Sequence, residues 1–333
     1  MSASKVYFTD LRTSFNENLP QKLERLIKTA GIGQIDFTNK FTAIKIHFGE
    51  PGNLAFLRPN YAAVVAKVVK ELGGKPFLTD CNTLYVGGRK NALDHIDAAY
   101  ANGFSPFSTG CHVIIADGLK GTDEALVPVE GGTYVKEAKI GRAIMDADVF
   151  ISLAHFKGHE CTGFGGALKN IGMGCGSRAG KMEMHSAGKP FVNQDACIGV
   201  CPMDAVCAAQ DESNDILNCK IAEYSKAVVS GRPQFHINMV IDVSPYCDCH
   251  AENDVPIVPD IGMFASFDPV ALDQACVDAV NRQPIMSGSH LDEVAHDHHD
   301  HFTDSSPATN WKSCLEHAEK IGLGTREYEL IKI

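Results

Sequence analysis

The chain reads as an α/β protein with a Rossmann-like layered sheet and a small Cys-rich insertion. Short apolar runs alternate with longer helical patterns, and a Cys- and Pro-containing stretch interrupts that alternation near residue 190. The 333 residues are 44% hydrophobic, enough for a large core. Val6–Phe8 reads as a strand and Leu19–Ala30 as a helix with apolar residues three to four apart. Ala43–Phe48 is the next strand, followed by a Gly/Pro loop and a helix over Tyr61–Leu72. Lys75–Thr79, Val113–Ala116 and Val149–Leu153 continue the strand series. After the insertion come a helix (Ala222–Val229), a strand (Ile237–Val243), a helix (Pro269–Asn281) and a last helix (Trp311–Ile321) before a short tail. The expected division is residues 1–188, an α/β domain with a Gly-rich cofactor loop; 189–220, the insertion; and 221–333, a C-terminal α/β part.

Composition narrows function before any motif does. A net charge of -11 with 21% charged residues offers no basic stripe for nucleic acid. No apolar run approaches the roughly 18 residues of a membrane span, and the first residues lack a signal-peptide core. A cytoplasmic protein is expected, with a small-molecule substrate or a redox partner protein. Twelve cysteines without a secretory signal point to thiols or metal thiolates rather than a disulfide framework. Of these, Cys81, Cys111, Cys276 and Cys314 read as buried apolar residues.

The richest stretch runs from His155 through His159 and Lys169 to Cys175, with His185 ten residues on. It follows the strand Val149–Leu153, and in such sheets ligands gather at the carboxyl ends of strands. Gly163, Gly165, Gly166 and Gly174 allow backbone amides to approach an anion, with Lys169 and Arg178 adding charge; the bland reading is a set of tight turns. Neither a Walker nor a dinucleotide fingerprint is present. His155 and His159 are candidate acid/base groups and His185 a metal ligand.

Three further groups carry metal-ligating chemistry. Cys197-x3-Cys201-Pro202 matches the closing half of a ferredoxin cluster motif. A cube needs four thiolates, so Cys175, Cys207, Cys219, Cys247 or Cys249 would have to contribute; a motif kept only as structure is the alternative. Cys247-Asp248-Cys249-His250 places two thiols on one side of an extended segment, suited to soft metals, cluster irons or zinc. His296, His298, His299 and His301 form a tract that binds transition metals adventitiously or functionally. Asp254, Asp260, Asp268 and Asp273 read as turn and N-cap residues.

His-Phe-Lys-Gly-His-Glu-x-Thr-Gly-Phe-Gly-Gly-Ala-Leu-Lys-Asn-Ile-Gly-Met-Gly-Cys, the Cys-Asp-Cys loop, Val-Pro-Ile-Val-Pro-Asp-Ile-Gly and Lys-Ile-Ala-Glu-Tyr together resemble domain-of-unknown-function family 362. The resemblance implies an iron–sulfur cluster in an inserted ferredoxin domain, here shortened and lacking half its cysteines. A more distant resemblance is to the lactate racemase family, whose nickel pincer nucleotide is attached to a lysine. The spacing His159-x9-Lys169-x15-His185 resembles that family's catalytic His, cofactor-bearing Lys and nickel-ligating His. Arg58-Pro59 resembles its cofactor loop, with Leu57 in place of Thr, while its Gly-Thr-His segment has no counterpart. Two opposed bases are the simplest device for racemisation, and the second is missing. The expected function is a metal or iron–sulfur protein, as a redox or metal-assisted enzyme. A nickel-pincer enzyme acting on a small hydroxy acid and a non-catalytic electron carrier or metal-binding protein stay open.

Overall fold

A computed structural model describes residues 3–84, 86–188, 190–192, 206–208, 213–294 and 296–333. Its centre is an eight-stranded sheet. Across it the strands run Tyr328–Lys332, Ser4–Asp10, Gly262–Ser266, Gln234–Val240, Val149–His155, Phe41–Lys45, Lys75–Asp80 and His112–Ile115. Pairing is parallel throughout except for Gly262–Ser266, which runs against both neighbours. Val149–His155, at the middle, is buried along its whole length and is apolar except for Ser152 and His155, near-continuous as strands covered on both faces are. Its alternation sends Ile151 and Leu153 into one core and Phe150 into the other.

Each face is covered by helices whose ends the sequence sets. Leu19–Thr29 begins at a reciprocal Asn18/Gln21 capping box and packs with Pro59–Glu71 over one face. On the other face, Ala167–Cys175, Ser213–Val229, Pro269–Asn281 and Lys312–Lys320 share a second core. Asp268 caps Pro269–Asn281 through the amides of Val270 and Ala271, the role expected of it. Asp260 accepts the Asp242 amide and Asp254 that of Val255, also as turn residues.

Several boundaries differ from expectation. The helix expected at Ala222 begins at Ser213, across the boundary placed at residue 220. The short tail is an edge strand, Tyr328–Lys332, paired in parallel with the first strand. Around the insertion only the strand pair Pro190–Val192 and Val206–Ala208 is described, and Cys197 and Cys201 lie outside the described residues. Among the described residues no helix is long and apolar enough to cross a membrane.

Candidate functional site

From Phe41–Lys45 the chain steps outward through Lys75–Asp80 to His112–Ile115, then returns to the opposite side of Phe41–Lys45 as Val149–His155. This reversal of strand order is a topological switch point, where α/β sheets place their ligands. A cavity of about 230 Å³ opens there, over the carboxyl ends that carry Lys45, Asp80 and His155. Five lining side chains are Lys or Arg and three are carboxylates, so the cavity is cationic inside an acidic chain.

One wall is a two-stranded hairpin, Lys157–His159 against Gly163–Gly165. It is clamped from behind by Phe156, Phe164, Phe302 and Trp311, whose ring centroids lie 5.0–5.9 Å apart. Such pairs add about 0.5–1.5 kcal/mol each beyond their burial. His159 lies on the cavity side, and its Nδ1 accepts the amides of Cys161 (3.0 Å) and Thr162 (3.2 Å). The neutral ring therefore carries its proton on Nε2, and burial, then Lys169, holds its pKa below the usual value.

The facing wall is the Cys247–His250 loop, laid across the hairpin where Gly158 donates to the Ser244 carbonyl at 2.8 Å. A Cβ on Gly158 would stand 2.4 Å from the Pro245 carbonyl oxygen, so glycine permits the approach. Asp248, between the two cysteines, is held by His155 Nδ1 at 2.9 and 3.1 Å, and His155 Nε2 meets the carbonyls of Ile241 (2.8 Å) and Asp242 (3.1 Å). With both nitrogens engaged, His155 braces the cysteine loop and has none to offer a substrate.

The Lys169 ammonium lies 3.2 Å from Cys247 Sγ, and the Cys249 amide donates to the same sulfur at 3.4 Å. A hydrogen bond from the Cys249 thiol, opposed by burial and assisted by Lys157, Lys169 and His159, holds the Cys247 pKa well below the usual thiol range. Cys249, the donor in that bond and itself buried, is pushed far up. The pair thus shares one proton. Burial would lower Lys169, but the sulfurs of Cys247 and Cys249 and the Glu160 carboxylate raise it instead. Glu160 accepts from His250 Nε2 at 2.8 Å. Although burial opposes it, His159 and His250 bring Glu160 down to about 2.

Gly165, Gly166, Gly174 and His185 also line this cavity. Burial, then Lys169 and His159, lowers His185 to about 4, so it is neutral at pH 7. The amides at the head of the helix Ala167–Cys175 do not face a ligand. Asp273 accepts those of Ala167 (2.7 Å) and Leu168 (2.9 Å), so lysine side chains, not the glycine backbone, give the cavity its charge. Gly163, at φ 80°, turns away against Trp311. Arg58 is exposed at the start of Pro59–Glu71, and Arg178 packs on Gly121. Neither borders the cavity. Cys175 is sealed in the core with its thiol raised to about 12 by burial, no ligand in this arrangement. Cys111, Cys276 and Cys314 are buried as expected; Cys81 is buried too but reaches the cavity edge. In the histidine tract His298 bonds Asp304 and His301 the Gln283 carbonyl, which ties the segment to the fold.

Sequence reasoning passed over Lys45, Asp80 and Arg89, and also Lys157, although the last stands between His155 and His159 in the quoted motif. Two-residue alternation along an extended stretch was the available signal for it. For the others, only the three-dimensional gathering of strand ends reveals the site.

One ligand atom each from His159, Cys247 and Cys249 lie within 4.8 Å of one another, as do those of Glu160, Cys249 and His250. Two sulfurs with a nitrogen or oxygen suit a soft or borderline metal ion. His159 joins such a set through Nε2 only after that nitrogen loses its proton. Four thiolates for a cubane are not brought together among the described residues. Lys169 is an ammonium held by a thiolate, and a covalent link to a nucleotide would first require that proton to leave.

A mostly parallel α/β sheet with a Cys/His/Lys cavity at its switch point defines an α/β protein whose site can hold a metal ion. The chain belongs to the family described as Domain of unknown function (DUF362), whose family model matches residues 42–278. A thylakoid-associated protein of Synechocystis sp. is 30% identical over 131 residues, covering 38% of this chain and 35% of that protein. Among solved structures, a Thermotoga maritima protein is similar with a TM-score of 0.46 and 15% identity, over 81% of this chain and 59% of its own. The lactate racemase apoprotein of Thermoanaerobacterium thermosaccharolyticum is similar with a TM-score of 0.42 and 14% identity, over 72% of this chain and 51% of its own.

Proposed function

We propose that this chain is a metal-assisted enzyme acting on a small anionic molecule, with one soft or borderline metal ion on Cys247 and Cys249. The observation that carries this reading is the sulfur pair, buried beside Lys169 and His159 and facing a cavity large enough for a small substrate. An electron carrier has no need of such a space. A cytoplasmic setting is part of the proposal, since the thiols must stay reduced.

Cys247 and Cys249 would hold the ion, with His159 or the Glu160/His250 pair completing the set. A metal there polarises a substrate oxygen as a Lewis acid. Lys169 offsets the negative charge of the sulfurs and of the substrate. His185, neutral at pH 7, accepts a proton from the bound molecule. His159, with Nε2–H toward the cavity side, donates one while that nitrogen is free of metal. His155 and Asp248 act as positioning residues for the sulfur loop.

The test is anaerobic purification, elemental analysis and titration with Co²⁺, whose thiolate charge-transfer absorption reports sulfur ligation. One metal per chain, lost in both Cys247→Ser and Cys249→Ser, is the expected outcome. Equal binding in both variants, or about four irons with four sulfides per chain as in one cubane, would overturn it.

A further inference from the structure

Among the described residues, every cation lining the cavity except Lys157 donates a hydrogen bond to a protein acceptor. Lys45 pairs with Asp80 at 3.0 Å and bonds Asn170 at 2.9 Å. Arg89 pairs with Glu50 at 2.7 Å, Lys181 donates to the Gly176 carbonyl at 2.5 Å, and Lys169 donates to Cys247. Lys157 is only 4% exposed and lines the cavity, yet among the described residues it makes no hydrogen bond and no ion pair with a carboxylate. The nearby carboxylates are engaged: Asp80 by Lys45, Asp248 by His155 and Glu160 by His250. The Cys247 sulfur attracts the Lys157 ammonium through space, but a buried ammonium with no acceptor for its N–H groups is costly. Its neighbour across the hairpin is Gly165, where a Cβ would stand 3.1 Å from Lys157 Nζ and 3.4 Å from Lys169 Cδ. Glycine there leaves free the space between the two lysine side chains.

We propose that Lys157, together with Lys169, seats a carboxylate or phosphate group of the molecule that enters the cavity, so that the ligand is an organic acid or a phosphate ester. The Lys157 ammonium and the Lys169 stem border one gap and both lysines line the cavity; an ammonium has three N–H donors, so an oxyanion can take a charge-assisted hydrogen bond from Lys157 and another from Lys169 while Lys169 keeps Cys247. The inference deepens the proposed function in taking the cavity as the ligand's place, but it does not depend on the metal.

Calorimetric titration of the full chain with inorganic phosphate and with oxalate tests it, beside Lys157→Met and Lys169→Met. At least one probe should bind the wild type, with affinity lowered about tenfold or more in Lys157→Met. Lys157→Met should keep Co²⁺ binding and melt no lower than the wild type without added anion, showing that it folds. Binding of phosphate alone assigns a phosphate ester, and of oxalate alone an organic acid. Binding of neither probe to the wild type, or equal affinity in Lys157→Met, overturns the proposal. Loss of Co²⁺ binding in the wild type with anion binding intact would sink the metal reading and leave this one standing.

Discussion

The strand-end side of the cavity and the side that carries the hairpin and the cysteine loop differ in how their charges are balanced. On the side built from residues 45–89, Lys45, Asp80, Arg89 and Glu50 form a buried network of ion pairs. On the side built from the hairpin and the cysteine loop, the Cys247 thiolate, the Lys157 ammonium without a carboxylate partner and the His159 imidazole border the open space. Burying charges is costly whether or not they are paired. The first side offsets that cost internally, while the second leaves its cost to be offset by what binds. Structural and functional charge can thus be told apart within one cavity.

The largest expected effect comes from breaking the balanced side. Asp80→Ala strips Lys45 of its carboxylate in the core and should cost about 3–5 kcal/mol in urea unfolding at pH 7, whereas Lys157→Met on the opposite side should not lower stability. A loss below about 1 kcal/mol, the scale of a surface pair, would erase the distinction.

The next effect sharpens the opposite side. His155→Gln frees Asp248 and should weaken Co²⁺ binding by about 10–100-fold, the usual cost of losing a residue that orients metal ligands. Unchanged affinity would show that backbone contacts alone hold the loop.

The last concerns His95, which stands behind the balanced side with Nε2 3.8 Å from Asp80 and neither ring nitrogen hydrogen-bonded among the described residues. Burial, with Arg89 assisting and Asp80 opposing, lowers its pKa from 6.5 to about 3. A histidine lowered on folding lends stability that is present above pH 6.5 and is lost as pH falls toward 3. His95→Phe should recover about 2.5 kcal/mol of that loss between pH 7 and 4.5. An identical pH profile in urea unfolding would assign the acid sensitivity to other groups.

Much of the sheet was legible because its signals are local. The apolar run at Val149 and the Asp268 cap needed no distant information, and Pro269–Asn281 begins and ends where the sequence places it. Gly262–Ser266 was missed as a strand: five residues behind a Pro-rich loop carry little periodicity. In the site, His159, Lys169, His185, Cys247 and Cys249 were named from the sequence and share one cavity. The errors were long-range. Nothing near Gly166 shows that Asp273, over a hundred residues away, occupies the helix amides, or that Arg58 and Arg178 point elsewhere.

The hairpin carrying Lys157 is clamped from behind by aromatic rings, while the strand that presents Lys157 to the cavity is three residues long. Ligand choice is thereby uncoupled from foldability. Exchanging the side chain at Lys157 changes the charge lining the cavity and leaves the aromatic clamp untouched, so on the proposal above a single substitution resets the charge of the guest.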